Sequence, residues 1–185
     1  TSGDDINWTR DSGGTPSSNT GPGTGSNGNY YMYVEASGSG TGYPDKVAIL
    51  NSPCFDISGI NNPSFKFDYH MYGSRVNNLK LEISTNSGSS WTQVFTKSGN
   101  QGNNWLGESI DLNAYKGSNV SFRFTVTTGN GSQGWQSDIA IDNVSVEAGS
   151  TTPPVTYCAS KGNNVNDEYI SRVQFGSIDN TTGAN

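Results

Sequence analysis

Charge is scarce in this 185-residue chain: Asp, Glu, Lys and Arg together make 14%, with a net charge of −6. Ten Lys and Arg spread over the whole length, at a sequence pI near 4.5, form no cluster. That excludes a surface that binds nucleic acid by counterion release, which needs grouped cations. Ala, Leu, Glu and Lys are too few for a helical bundle or coiled coil. No run reaches the ~18 apolar residues of a membrane span. Cysteine occurs twice, at Cys54 and Cys158, and histidine once, at His70. Two cysteines define no disulfide scaffold; they suit one bridge or two free thiols. In place of these residues stand 24 Gly, 26 Ser, 22 Asn and 17 Thr, 89 in all. Such a composition also occurs in disordered chains, but 20 aromatic residues set inside alternating segments indicate a packed β domain with polar loops.

The alternation predicts eight short strands: 30–36, 47–50, 64–72, 79–85, 91–97, 105–112, 120–127 and 138–146. In SFKFDYHMY (64–72), Phe65, Phe67, Tyr69 and Met71 share one face, and Lys66, Asp68, His70 and Tyr72 the other. LKLEIST (79–85) and WTQVFTK (91–97) flank Asn-Ser-Gly-Ser-Ser and read as a hairpin. VSFRFTVT (120–127) places Val120, Phe122, Phe124 and Val126 in phase. No helical period of ten residues occurs, and residues 11–29 read as a long polar loop. These strands predict an all-β sandwich of two antiparallel sheets spanning residues 1–146. EAGSTTPPVT (147–156) reads as a linker, its Pro-Pro pair favouring extended backbone. The 29 residues from 157 to 185 are too few to bury a core and read as the opening piece of a second domain. Thr1–Arg10 carries no secretory leader pattern. The composition points to a secreted or cell-surface protein.

Eight motifs in order carry a family resemblance. They are Trp8-Thr9-Arg10, Gly14-Thr15-Pro16-Ser17, Thr20-Gly21-Pro22, YYMYVEAS (30–37), Leu50-Asn51-Ser52-Pro53, FDYHMYG (67–73), Gly99-Asn100-Gln101-Gly102 before Trp105, and DIAIDNV (138–144). Together they resemble the MAM family (meprin, A5 protein, receptor tyrosine phosphatase mu) over residues 4–146. The tail resembles the start of a GEVED-type domain through Tyr157-Cys158, Glu168-Tyr169-Ile170 and FGSIDN (175–180). That pairing is similar to bacterial secreted or surface proteins, often proteases and other hydrolases. The resemblance implies a jelly-roll sandwich, extracellular and non-catalytic, serving adhesion, oligomerisation or targeting within a larger protein. Family members usually open with an additional strand, which this sequence lacks before Trp8, and Ser64 stands where a cysteine is common. An absent strand leaves an open sheet edge, which invites pairing. Either the tail, by intramolecular edge-strand pairing, or a second molecule, as in a homo-oligomer, is expected to fill it.

The resemblance also implies a structural cation, with Ca2+ the natural choice, where the first loop meets the last strand. Such an ion takes six to eight oxygens. Asp5, Asp138 and Asp142 are the ligand candidates, with Asp4 and Glu35 behind them. Aspartates also favour Asx turns without any metal. For a ligand, stacking aromatics beside polar groups are the feature to find. Trp135 in a glycine-rich loop, Tyr30, Tyr31 and Tyr43 beside other loops, and Trp91 are the candidates, each with a packing role as the alternative. Trp8 and Trp105, at family motif positions, are expected in the core. His70 has no nucleophile or orienting acid in a recognisable motif and is expected to be structural. A Cys54–Cys158 bridge would close a loop 104 residues long, worth roughly 4–5 kcal/mol in the chain-entropy picture. The expected function is a non-catalytic recognition or adhesion module that meets an extracellular protein. The alternative is a carbohydrate-binding module that holds an enzyme near a neutral glycan, since the acidic chain repels anionic polymers. Neither nucleic acid nor a membrane is an expected partner.

Overall fold

The structure is a computed structural model that describes residues 3–149 and the backbone of 172–175 and 178–181. The chain divides into two compact units, Thr1–Thr151 and Thr152–Asn185. In the second, β11 (Arg172–Phe175) and β12 (Ile178–Thr181) form an antiparallel pair. The GEVED-like motifs otherwise lie outside the described residues, as does Cys158.

The first unit is a jelly-roll sandwich of two antiparallel sheets. The front sheet runs β1 (Trp8–Ser12), β2 (Tyr30–Val34), β10 (Ile139–Ala148), β5 (Pro63–Met71), β8 (Leu106–Asp111). The back sheet runs β3 (Val47–Asn51), β9 (Asn119–Thr127), β6 (Asn78–Ser84), β7 (Thr92–Ser98), with β4 (Phe55–Asp56) also on β9. A single 3-10 turn, Asn113–Tyr115, is the one helical element among the described residues. All eight predicted strands are present. The sequence reading missed β1 and β4: Trp-Thr-Arg-Asp-Ser does not alternate, and β4 is two residues long. β1 is an edge strand, where charged residues protect against further pairing. The reading also ended the last strand too early. Glu147 and Ala148, assigned to the linker, pair with Ser64 and Pro63 as the final rungs of β10.

The core lies between the sheets and follows the two-residue period. Phe65, Phe67, Tyr69 and Met71 of β5 meet Val120, Phe122, Phe124 and Val126 of β9, all buried. Phe65 and Phe122 approach with ring centroids 4.3 Å apart, and Phe67 stands edge-on to Phe95 at 5.2 Å. Leu79, Leu81 and Ile83 of β6 complete the back wall.

The outer face of the front sheet is covered too, which alternation alone did not anticipate. The segment 13–29, expected to be a polar loop, folds over Tyr31, Tyr33 and Ala140, which form a second apolar cluster with Trp105. Its Thr20, Gly21, Pro22 and Gly25 are buried. Thr20 Oγ1 donates to Tyr72 O (3.0 Å) and accepts the Asp138 N–H (2.9 Å), which pins the segment to the sheet. Gly21 sits at φ +67°, and a Cβ there would meet the Thr15 side chain, so only glycine serves this turn.

Candidate functional site

Trp105 is not in the core between the sheets. It lies on the outer face, edge-on to Tyr31 (6.0 Å) and beside His70 (5.4 Å), with its indole N–H donated to Thr24 O (2.9 Å). Trp8 is half-buried, packed beside the core against Phe124 at 6.4 Å. His70 is buried as a packing residue: its Nε2 pairs with Asn103 Oδ1 (3.1 Å), and burial holds the imidazole below its usual pKa. No nucleophile accompanies it.

The expected ligand aromatics separate. Tyr31 is buried, with its hydroxyl donating to Gly13 O (3.0 Å), so it offers no platform. Tyr43 is half-buried over Gly134, where any added Cβ would meet its ring. Trp135 in the same region is half-buried. Trp91 lies under the Arg123 guanidinium, 4.5 Å from the ring, and that guanidinium is held bidentate by Glu82 at 2.7 and 3.0 Å. Among the described residues the exposed large apolar side chains are Tyr30, one of the candidates, and Val144.

The five proposed cation ligands also fall in different places. Asp5 Oδ2 accepts the Val47 N–H (2.9 Å) and Asp4 Oδ1 the Ile49 N–H (3.2 Å), so both tie the N-terminal segment to β3. Asp142 Oδ2 accepts the N–H groups of Ser26 and Asn27 (2.8 and 2.9 Å) and anchors the covering segment. Asp142 shares a face with Asp138, but four strand residues separate them by about 13 Å. Only Glu35 and Asp138 come together. Asp138 is fully buried; Oδ1 accepts the Ala36 N–H (2.9 Å), while Oδ2 has no hydrogen-bond partner. The nearby Thr15 hydroxyl donates to Thr20 O (3.0 Å). Burial, with Glu35 adding repulsion, pushes the Asp138 carboxyl up to about 7. Glu35 is itself engaged by Tyr33 Oη (3.2 Å) and the Ser37 N–H (2.9 Å). No group of three or more His, Cys, Asp or Glu among the described residues is arranged as a metal cage. The signal that singles out this pair is burial under the 13–29 segment, which spacing in the sequence does not show.

A groove is the other feature, and it comes from a bulge. β10 pairs with β2 only at Ile139, Ala140 and Ile141, then shifts register against β5 between Asp142 and Ser145. Asn143 takes the left-handed conformation there (φ +51°). Below the bulge β10 continues beside β5 to Ala148, and its other edge pairs with no strand among the described residues. A groove of about 490 Å³, lined from both sheets, opens along this edge. Leu50, Phe55, Phe65, Phe122 and Val146 line it, and Val144 is 50% exposed there. Arg10 stands at its rim with the guanidinium 3.7 Å from the Tyr30 ring centroid. Cys54, exposed and without a disulfide among the described residues, is adjacent to Phe55.

Fold and site together define a β-sandwich domain with an open apolar groove among its described residues. The family model of the MAM domain, meprin/A5/mu, matches residues 1–151, and the chain belongs to that family. It is similar to MAM domain-containing glycosylphosphatidylinositol anchor protein 1 of Rattus norvegicus, 33% identical over 79% of this chain and 15% of that protein. It is also similar to MAM domain-containing protein 2 of Mus musculus, 32% identical over 77% of this chain and 20% of the relative. The chain thus spans a fifth or less of these relatives' lengths. Its fold is that of the K1 cleaved adhesin domain of Lys-gingipain from Porphyromonas gingivalis (TM-score 0.57, 20% identity, 80% of this chain and 88% of that one). No helix among the described residues is long and apolar enough to cross a membrane.

Proposed function

We propose that this domain is a non-catalytic recognition module of a larger secreted or surface protein, and that it meets another protein rather than a glycan. The observation that carries this reading is the pairing of an open apolar groove with an unpaired strand edge. Protein surfaces recognise one another through such features. Sugar recognition wants a bare aromatic face ringed by polar groups. Here Tyr30, the exposed aromatic, is covered by Arg10, and Trp91 is covered by Arg123. The two vertebrate relatives bear names that place the same domain in larger proteins, one of them named for a glycosylphosphatidylinositol anchor. This supports an extracellular setting. The tail from residue 157 belongs, on this reading, to a further module of the parent protein.

A structural cation is part of the proposal. The orphaned Asp138 Oδ2, the Glu35 carboxylate beside it and the Thr15 hydroxyl are hard oxygen donors in a place without a compensating basic residue. They suit Ca2+, which would neutralise the pair and tie the 13–29 segment to β10.

The test is retention of the purified chain on an extracellular matrix treated beforehand with protease or with glycosidase. Loss after protease only is expected. Loss after glycosidase only, together with mobility shifts in affinity electrophoresis on neutral polysaccharides, would overturn the protein reading in favour of the glycan.

A further inference from the structure

We infer that the groove along the lower half of β10 receives an extended strand from a separate polypeptide, apolar at alternate positions and bearing a carboxylate where it reaches Arg10. The inference deepens the recognition reading and names the partner's chemistry.

The first ground is the backbone. Among the described residues Ser145–Ala148 is paired by β5 on one side only, so alternate N–H and C=O groups on the other side face the open edge. Four strand residues offer about 13 Å of edge, enough to fix a strand of similar length. Only another backbone in extended form satisfies a row of this kind. The second ground is the floor. Below the edge lie Phe65, Phe122, Phe55 and Leu50, with Val144 and Val146 at the lip. A strand laid along β10 turns every second side chain into this space, and small or branched apolar residues fit it. The third ground is charge. Asp142, the one carboxylate lining the groove, is occupied by the N–H groups of Ser26, Asn27 and Asn143. Arg10, the one cation lining it, makes no ion pair among the described residues. Arg10 is therefore the charged side chain of the lining with neither a carboxylate nor a hydrogen-bond partner among the described residues, although the whole chain carries −6. Its complement is an acidic side chain on the incoming strand.

The full chain is titrated with the acetylated, amidated peptides TVTVTE and ETVTVT and their Gln counterparts, with binding read by calorimetry and amide exchange read by mass spectrometry. One acidic peptide is expected to bind roughly five- to ten-fold more tightly than its Gln form and to slow exchange at 144–148. Arg10→Ala should erase the difference between Glu and Gln peptides. Val144→Lys, at an exposed position, should weaken both forms while leaving tryptophan emission unchanged. Failure of all four peptides to slow exchange at 144–148 overturns the proposal. So does slow exchange there without peptide. If it grows with protein concentration alongside a doubled mass in light scattering, a second copy fills the groove. If it is independent of dilution, the chain's own polypeptide does. Each of these results leaves the matrix-retention experiment free to succeed, so the strand and the recognition reading fail separately.

Discussion

Asp138→Asn should stabilise the metal-free domain at alkaline pH, the opposite of what loss of a buried hydrogen-bonded residue does ordinarily. The carboxyl is fully buried, and its pKa rises from 3.8 to about 7, burial first and Glu35 after it. The folded state therefore holds a proton that the unfolded state has released between these two values. Stability tied to this group is complete below about pH 4 and is lost as pH rises through about 7. The gap of about 3 units, at ~1.4 kcal/mol each, makes the loss at pH 8 at most about 4 kcal/mol. Asparagine cannot ionise, and its carbonyl can still accept the Ala36 N–H. In chelator, the variant should melt with the wild type below about pH 4 and above it at pH 8, by up to roughly 8–16 °C for a domain of this size. Millimolar Ca2+ should raise the wild-type midpoint at pH 8 and leave Asp138→Asn unmoved. Tryptophan emission is the right signal, because Trp8, Trp91, Trp105 and Trp135 all lie in the sandwich. A variant less stable than wild type at pH 8 in chelator would refute the buried-charge argument. A Ca2+ response retained by the variant would refute the cation assignment.

The remaining predictions concern packing and titration. Phe122→Ala empties the contact with Phe65 and should cost about 3–5 kcal/mol in urea unfolding; a loss under 1 kcal/mol would mean that the back sheet repacks freely. Arg123→Ala should cost about 1 kcal/mol, since the Glu82 pair is part-exposed, and should shift Trp91 emission to the red. Because Arg123 holds the Glu82 carboxyl below its usual value, the wild-type advantage should be present above about pH 4.5 and fade as pH falls further, as a urea series across pH will show. In absorbance titration at 295 nm, Tyr31, raised to about 12 by burial and by Asp11, Asp138 and Glu35, should stay un-ionised at pH 11. Tyr33 should do the same, and ionisation of these two tyrosines in the ordinary range near pH 10 would contradict the burial of the outer cluster.

The interior was legible in the sequence because one rule governs it. Phe65, Phe67, Tyr69 and Met71 point one way because strand geometry leaves no other choice, and the same holds for β6 and β9. That rule says nothing about which outer face will be wet. In YYMYV it set Tyr31 and Tyr33 against Met32 and Val34, yet both tyrosines are buried, because a Gly- and Thr-rich segment with no periodicity closes over them. The fate of Asp138 depended on that same segment. Its place in DIAIDNV marked it as a ligand candidate, but its lone partnership with Glu35 follows from Thr20 and Gly21 lying where they do. Asp4, Asp5 and Asp142 looked equivalent to it by residue type and differ only in what the folded backbone presents to them. The position of the unpaired edge of β10 among the described residues was not legible. It is set by the register shift after Asp142, a matter of two or three dihedral angles that no composition or period records.

That shift divides β10 into two halves with different tasks. Above it the strand lies between β2 and β5, and the backbone leading into it carries the buried Asp138. Both neighbours fix its position, which is what a buried charge or a bound cation requires of its surroundings. Below it the strand keeps one neighbour among the described residues, Val144 is half exposed, and the aromatic floor lines the groove. Without the bulge the pleat would carry β10 straight on, and β2 could continue alongside only by drawing the 13–29 segment away from Asp138. Asp142 stands at the junction and holds Ser26 and Asn27 by their N–H groups, which ends β2's reach at Tyr30. One aspartate thus anchors the covering segment at the point where β2 stops and the paired half of β10 gives way to the lower half.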